Sequence, residues 1–230
     1  MSHYEQYRAQ VLASCQDLTR KGYLIGTGGN VSVRIEGEDA LAITPSSMDY
    51  LSLNLDDICI YSFDKEAIEG KHIPSVEMGM HIAVYQNRSD VNAVIHTHQP
   101  YASTYALINE PIPALFDEQV ANLGNCVDIV PYGMSGTVTL LENITAHLDN
   151  SCNAYILQNH GILCLGTTLD KAALNILLLE KCARVYYYAL TTGRDISRLN
   201  PESERTIFSL LQSEQRKEIR RKKRLARQRR

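Results

Sequence analysis

No run of apolar residues in this chain approaches the ~20 needed to cross a bilayer, so no transmembrane helix is expected. The start, MSHYEQYRAQVLASC, has no basic segment followed by an apolar block, so no secretory signal is expected. No cysteine pair has C-x-x-C spacing. The six cysteines (Cys15, Cys59, Cys126, Cys152, Cys164 and Cys182) therefore read as scattered reduced thiols, which points to the cytoplasm. No G-x-G-x-x-G leads into a helix and no Gly-Lys-Ser/Thr follows a glycine loop, so neither a dinucleotide fingerprint nor a P-loop is present. Internal repeats and linkers rich in Gly, Ser and Pro are also missing. The expected organisation is one domain over residues 1–200, followed by a polar helix and basic tail over 201–230.

What the chain contains is an ordinary globular composition, 44% hydrophobic and 21% charged, over 230 residues. The net charge of −3 hides an asymmetry. Residues 214–230 carry ten Lys/Arg and two Glu, a net of +8, against −11 for the remainder. Such a basic run suits nucleic acid, an anionic membrane surface, or an acidic surface on its own or a neighbouring subunit. The default for a block of like charge is a solvated tail without a specific partner, and that is the expectation here.

Apolar spacing predicts a helix over residues 4–21, ending near Gly22. Alternation predicts strands at Val31 to Ile35, Leu41 to Thr44 and Asp57 to Ser62, with a helix start within PSSMDYLSLN and a hairpin connection over 63–70. A helix is expected from Ser75, strands at Val91 to Ile95, Val127 to Val130, Ala154 to Leu157 and Ile162 to Leu165, and helices near Tyr101 to Ile108 and Val138 to Leu148. The longest helix should run from Asp170 to Thr191, capped at Thr168 or Asp170 and stopped at Gly193. Several strands follow one another directly, which predicts a mixed, largely antiparallel sheet covered by helices.

Chemistry concentrates in a few stretches. HTHQ, at the end of the apolar run VNAVI, places His96 and His98 at i and i+2, on one strand face about 6.6 Å apart by the standard rise. At a strand end, two such imidazoles can converge on one ion. Zinc sites often use three protein ligands and an open position. His160, in LQNHG, also follows an apolar strand and supplies the third. His3, His72, His81 and His147 are less persuasive by position. The spacing alone leaves an aldolase, a hydrolase, a hydratase and a cupin all open. Glu77 in PSVEMGMH stands early in the expected helix, where a glutamate is ordinarily a dipole-favoured capping residue. Its functional reading is a general base beside the metal. GTGGN is a glycine turn before a strand and can present backbone N–H groups to an anion. Asn30, Thr27, Ser46, Ser47 and Ser75 offer side-chain donors to phosphate oxygens.

Together GTGGNVSVR, ITPSS, PSVEMGMH, VNAVIHTHQP and ILQNHGILCLG, in this order, resemble the class II aldolase/adducin family, and within it most nearly the L-fuculose-1-phosphate aldolases. The resemblance spans roughly residues 5 to 195. It implies an α/β/α sandwich around a central, mainly antiparallel sheet, assembled as a cyclic homotetramer with active sites between subunits. It implies Zn2+ held by His96, His98 and His160, with Glu77 as acid/base. It implies a phosphate pocket of Thr27, Gly28, Asn30, Ser46, Ser47 and Ser75. The reaction implied is cleavage of a phosphorylated deoxyketose to dihydroxyacetone phosphate and an aldehyde, through an enediolate. Epimerase relatives tend to carry Asp at the Glu77 position. Decarboxylase, epimerase and dehydratase relatives are the alternative enzymes, and a scaffold like the adducin head is the alternative outside enzymes.

The sequence departs from the family pattern in three places. Ser47 stands where glycine is common, and Val76 where a second serine often sits. Asp117 lies near the place of a tyrosine that assists from the neighbouring subunit, so Asp117, or Glu118 beside it, is a candidate for proton transfer. These departures leave the sugar phosphate open. Another deoxyketose phosphate, a methylthio-sugar phosphate and a 3-oxo acid phosphate all fit.

Overall fold

The computed structural model describes residues 3–228. Five antiparallel strands come first in the fold: β1 (Asn30–Arg34), β2 (Ala40–Ile43), β3 (Cys59–Ser62), β4 (Ala67–Glu69) and, in the sheet centre, β5 (Ala93–Thr97). Then follow β6 (Ile112–Pro113), β7 (Cys126–Val130), β8 (Ala154–Leu157) and β9 (Gly161–Gly166). The order across the sheet is β4-β3-β2-β1-β5-β9-β8-β7-β6. Every pairing is antiparallel except β7 with β8. The mainly antiparallel sheet is as the alternating apolar runs predict.

Helices cover both faces. α1 (Glu5–Arg20), α3 (Pro100–Ile108) and α6 (Leu169–Thr191) pack on one, with Val11, Val31, Val33, Ile95, Tyr105 and Ile176 in a shared core. α2 (Met78–Asn87) and α5 (Val138–Thr145) pack on the other, with Val84, Val94, Leu140, Leu163 and Leu165. Strand alternation sorts the residues between them. Val31, Val33, Ala93 and Ile95 point to the first core, so Asn30, Ser32, His96 and His98 share the second face, beneath α2. No helix among the described residues is long and apolar enough to cross a membrane.

Several expectations need correction. PSSMDYLSLN (45–54) forms a 3-10 turn, Tyr50–Ser52, rather than an α-helix, and a second 3-10 turn, Leu55–Asp57, follows it. The first is capped by Asp49, whose carboxylate accepts from Leu51 N. The 63–70 connection contains strand β4. A short helix, α4 (Asp117–Asn122), is new, and so is β6. α2 starts at Met78, three residues later than expected. α6 is capped by Thr168 and gives way at Gly193, which takes the positive φ that glycine tolerates.

The basic run is not a loose tail. Helix α7 (Pro201–Gln228) carries it back along the body. Phe208 packs against the second core, Leu211 is buried, and Gln215 donates to the Ser151 carbonyl at 2.8 Å. Arg221 pairs with Glu36 at 2.6 Å, and Lys222 donates to the Ser89 carbonyl at 2.7 Å. Burial pushes the Lys222 ammonium down to about 8. The helix period explains the difference. Phe208, Leu211, Gln215 and Lys222 fall on one stripe, leaving most cations on the solvent side.

Candidate metal and acid–base site

The three histidines meet at one end of the sheet. β5 delivers His96 and His98. The turn between β8 and β9 delivers His160, after Asn159 takes the left-handed conformation that asparagine tolerates. One ligand atom from each ring lies within 4.8 Å of the others. His96 Nε2 and His98 Nε2 are 2.9 Å apart. His96 is fully buried, His98 exposed and His160 between, so the cluster opens to solvent on one side.

Protonation state suits a ligand set. His96 Nδ1 donates to the Ile162 carbonyl at 2.8 Å, which leaves the Nε2 lone pair facing the cluster. Burial holds His96 down at about 4, against a partial opposing pull from Glu77. Burial, and then the His160 ring, also lower His98. A buried imidazole kept neutral is what a divalent cation needs, since an imidazolium has no lone pair to give.

Glycines make room for this convergence. A Cβ on Gly161 would stand 2.4 Å from His98 Cδ2 and 2.6 Å from the Thr97 carbonyl oxygen. One on Gly29, already at φ +80°, would meet the His96 carbonyl oxygen at 2.5 Å. A side chain at Gly161 would push against the rings, and one at Gly29 against the His96 backbone, so both glycines serve the histidines.

Glu77 lies against the rings. Its Oε2 is 3.3 Å from His96 Nε2 and its Oε1 is 3.1 Å from His160 Nε2. It occupies the N-cap position of α2 but makes no side-chain cap bond, so the ordinary capping reading does not hold. Burial alone would raise its pKa. His160, His96 and the Asn30 amide outweigh that, and the carboxylate sits well below its usual range. The Nδ1 of His160 is buried without a hydrogen-bond partner, and Oε1 has no partner beyond its 3.1 Å contact with His160 Nε2. A carboxylate oxygen so placed beside three imidazoles is costly unless something positive or protonated completes it.

The expected anion-binding residues surround this carboxylate unevenly. Asn30 Nδ2 donates to Glu77 Oε2 at 2.8 Å and to Ser75 Oγ at 3.0 Å. Thr44 and Pro45 pair with the segment before Ser75, which brings Ser46 and Ser47 alongside. Ser47 adopts φ +57°. That conformation costs a serine roughly 1 kcal/mol and a glycine little, which is why glycine suits the position. Thr27 is exposed in the loop, and the Cα of Gly28 faces His98 closely enough that a Cβ would lie 3.0 Å from its Nδ1.

Asp117 is not brought to the cluster within one subunit. It is exposed in the first turn of α4, and no hydrogen bond or ion pair joins it to the histidines. Glu118 instead pairs with Lys181 of α6. Two contributions went unforeseen. Ser135, from the loop before α5, places Oγ 3.3 Å from His160 Nε2. His81, set aside as a helix residue, is fully buried and reaches Asn30.

Comparison with known proteins places this arrangement. The family described as Class II Aldolase and Adducin N-terminal domain matches residues 9–187. A 5-deoxy-D-ribulose 1-phosphate aldolase of Bacillus thuringiensis serovar kurstaki is 32% identical over 200 residues, 87% of this chain and 92% of that protein. An L-fuculose phosphate aldolase of Escherichia coli is 34% identical over 193 residues, 84% of this chain and 88% of that one. A solved L-fuculose 1-phosphate aldolase superposes with a TM-score of 0.84 at 31% identity, covering 89% of this chain and 95% of its own.

Proposed function

Because the chain belongs to the class II aldolase and adducin N-terminal domain family, we propose that it is a zinc-dependent aldehyde-lyase. Its substrate is a phosphorylated deoxyketose such as L-fuculose 1-phosphate or 5-deoxyribulose 1-phosphate, cleaved to dihydroxyacetone phosphate and an aldehyde. One observation carries this reading: the buried Glu77 carboxylate stands 3.1 Å from His160 Nε2 and 3.3 Å from His96 Nε2, beside three imidazoles that converge at one open end of the sheet. A scaffold has no use for that combination, whose burial costs stability.

His96, His98 and His160 are the residues that hold the metal. Their imidazole nitrogen donors and open side fit zinc, though the same set accepts other divalent ions. Zinc bound there supplies Lewis acidity toward a substrate carbonyl and the charge left by C–C cleavage. The protein groups do the rest. In condensation Glu77 Oε1 removes the proton from the carbon of the three-carbon fragment; in cleavage the proton leaving the substrate hydroxyl passes through Oε1 to that carbon. Asn30 keeps Oε2 occupied and so presents Oε1. Ser75, Ser46, Ser47, Thr27 and Gly28 grip the remote phosphate, which fixes the reacting carbon relative to Glu77, whereas the Asn30 amide is already committed to Glu77, Ser75 and His81. Asp117 serves, in this proposal, from a neighbouring subunit. Exposed Ile73 and Val76 flank Ser75, and exposed Tyr132 and Met134 precede Ser135, so an apolar rim is available for subunit contact in a homotetramer. Residues 1–200 form the catalytic domain, with α7 as its docked C-terminal extension, and the setting is the cytoplasm.

A panel of ketose 1-phosphates, with dihydroxyacetone phosphate and CO2 followed in parallel on metal-loaded enzyme, tests the proposal. Release of dihydroxyacetone phosphate from at least one deoxyketose phosphate is expected. CO2 release without it would assign the chain to the decarboxylases, and no turnover by fully loaded protein would favour the scaffold.

A further inference from the structure

His81 lies at the centre of a buried polar chain that runs from Glu77 and Asn30 to Ser32 and Tyr85, three of whose members, His81, Ser32 and Tyr85, the aldolase reading does not use. α2 presents Glu77, His81 and Tyr85 at i, i+4 and i+8 on one face, a step of about 6 Å. β1 beneath it presents Asn30 and Ser32 at i and i+2, a step of about 6.6 Å. The two spacings nearly match, so the side chains interleave. Tyr85 OH and Ser32 Oγ are 2.7 Å apart, Ser32 Oγ and His81 Nδ1 are 2.6 Å apart, His81 Nε2 meets Asn30 Oδ1, and Asn30 Nδ2 meets Glu77 Oε2 at 2.8 Å. Ser32 and His81 are wholly buried, and Tyr85, Asn30 and Glu77 nearly so.

The direction of every bond follows from one end. The Asn30 Nδ2 lies between two oxygens, Glu77 Oε2 at 2.8 Å and Ser75 Oγ at 3.0 Å, so both amide protons are directed there. Asn30 Oδ1 then faces His81 Nε2, which must carry the proton. His81 Nδ1 is left as an acceptor and takes the Ser32 hydroxyl proton. Ser32 Oγ accepts in turn from Tyr85. Burial keeps the His81 ring neutral, with its pKa down at about 3, so the ring has one proton and one lone pair to place. The far end is anchored: the Tyr85 ring stacks on Phe63 with centroids 5.9 Å apart, and the Arg34 guanidinium donates to the Tyr85 carbonyl.

We propose that His81 is a positioning residue for Glu77. As the Nε2–H tautomer it locks the Asn30 amide so that both amide protons face Glu77 Oε2 and Ser75 Oγ, leaving Glu77 Oε1 for proton transfer. A flipped amide would set Oδ1 against the carboxylate, oxygen to oxygen with no proton between. This inference rests on Glu77 being the acid/base group, and its first test does not depend on that.

Zinc-loaded protein with 15N-labelled histidine side chains reports the tautomer of His81 directly, with His81→Gln removing and so assigning its signals. A protonated Nε2 and bare Nδ1 are expected at neutral pH, and a protonated Nδ1 would overturn the proposal. The second test follows solvent deuterium entering dihydroxyacetone phosphate. Glutamine can place an N–H near the Nε2 position, so His81→Gln should keep exchange within about threefold, a small part of what an outer partner of a site usually commands. His81→Phe keeps the bulk without the donor, and should lose about 10- to 100-fold in kcat at nearly constant KM and metal content. His81→Asn is polar but too short to reach Asn30. It should lose as much, and it serves if the phenylalanine variant does not fold. Equal losses in the Gln and Asn variants would mean packing alone and would overturn the role. A wild-type enzyme that leaves dihydroxyacetone phosphate unexchanged would overturn the aldolase reading and the functional half of this one, while the tautomer would still decide how Asn30 is oriented.

Discussion

Glu77→Gln should cost about 10²- to 10⁴-fold in kcat while the protein keeps its full complement of metal, the range a positioned acid/base group supplies. The substitution keeps shape. A glutamine oxygen can still accept from Asn30 Nδ2, so the pocket and the three histidines lose little. What goes is the ability of the second atom, now an amide nitrogen, to take a proton from carbon. Turnover on the substrate found by the ketose phosphate panel, set beside metal content per subunit, checks this. A variant turning over near the wild-type rate would remove Glu77 from the chemistry. A variant that loses metal and activity together would show that the carboxylate serves to hold the ion.

His98→Ala should abolish turnover by the opposite route. His98 is exposed, so its loss leaves little cavity, and the metal-free variant should melt like metal-free wild type. Metal affinity should fall by at least about 100-fold, since even outer partners of metal ligands reach that loss. The difference then appears only when zinc is added. At free zinc 100 times its Kd the wild type gains about 2.7 kcal/mol of stability by mass action, and the variant gains almost none. Thermal melts with and without zinc, after chelator treatment, read this directly. Equal zinc-induced shifts in both proteins would place the ion elsewhere.

The parts of the site that local pattern could reveal were the three histidines. His96 and His98 share a face because strands alternate, and His160 sits in a turn that an apolar strand and a glycine bracket. Glu77 was legible only through resemblance, since nothing local separates a base from a cap. What joins them is register: Asn30 pairs with His96 across β1 and β5, a relation between residues far apart in sequence. His81 was set aside because it falls on an expected helix rather than at a strand end. The spacing Glu77, His81, Tyr85 against Asn30, Ser32 is visible in the sequence, but it acquires meaning only once α2 is known to lie over β1. α4 and β6 escaped because six and two residues give periodicity too little length. The basic end misled because charge was weighed ahead of the stripe of Phe208, Leu211 and Gln215. The acidic body supplies Glu36 to Arg221, and the helix supplies its own Glu218, which takes the Asn92 amide at 2.7 Å.

The central claim is that this cluster makes a carbon-bound proton labile beside a carbonyl. Dihydroxyacetone phosphate held in D2O with zinc-loaded wild-type enzyme, and no aldehyde present, tests that step alone. The account predicts one deuterium entering stereospecifically at the hydroxymethyl carbon, at a rate that needs both zinc and Glu77. Exchange no faster than in buffer, from protein shown to carry one metal per subunit, would contradict it.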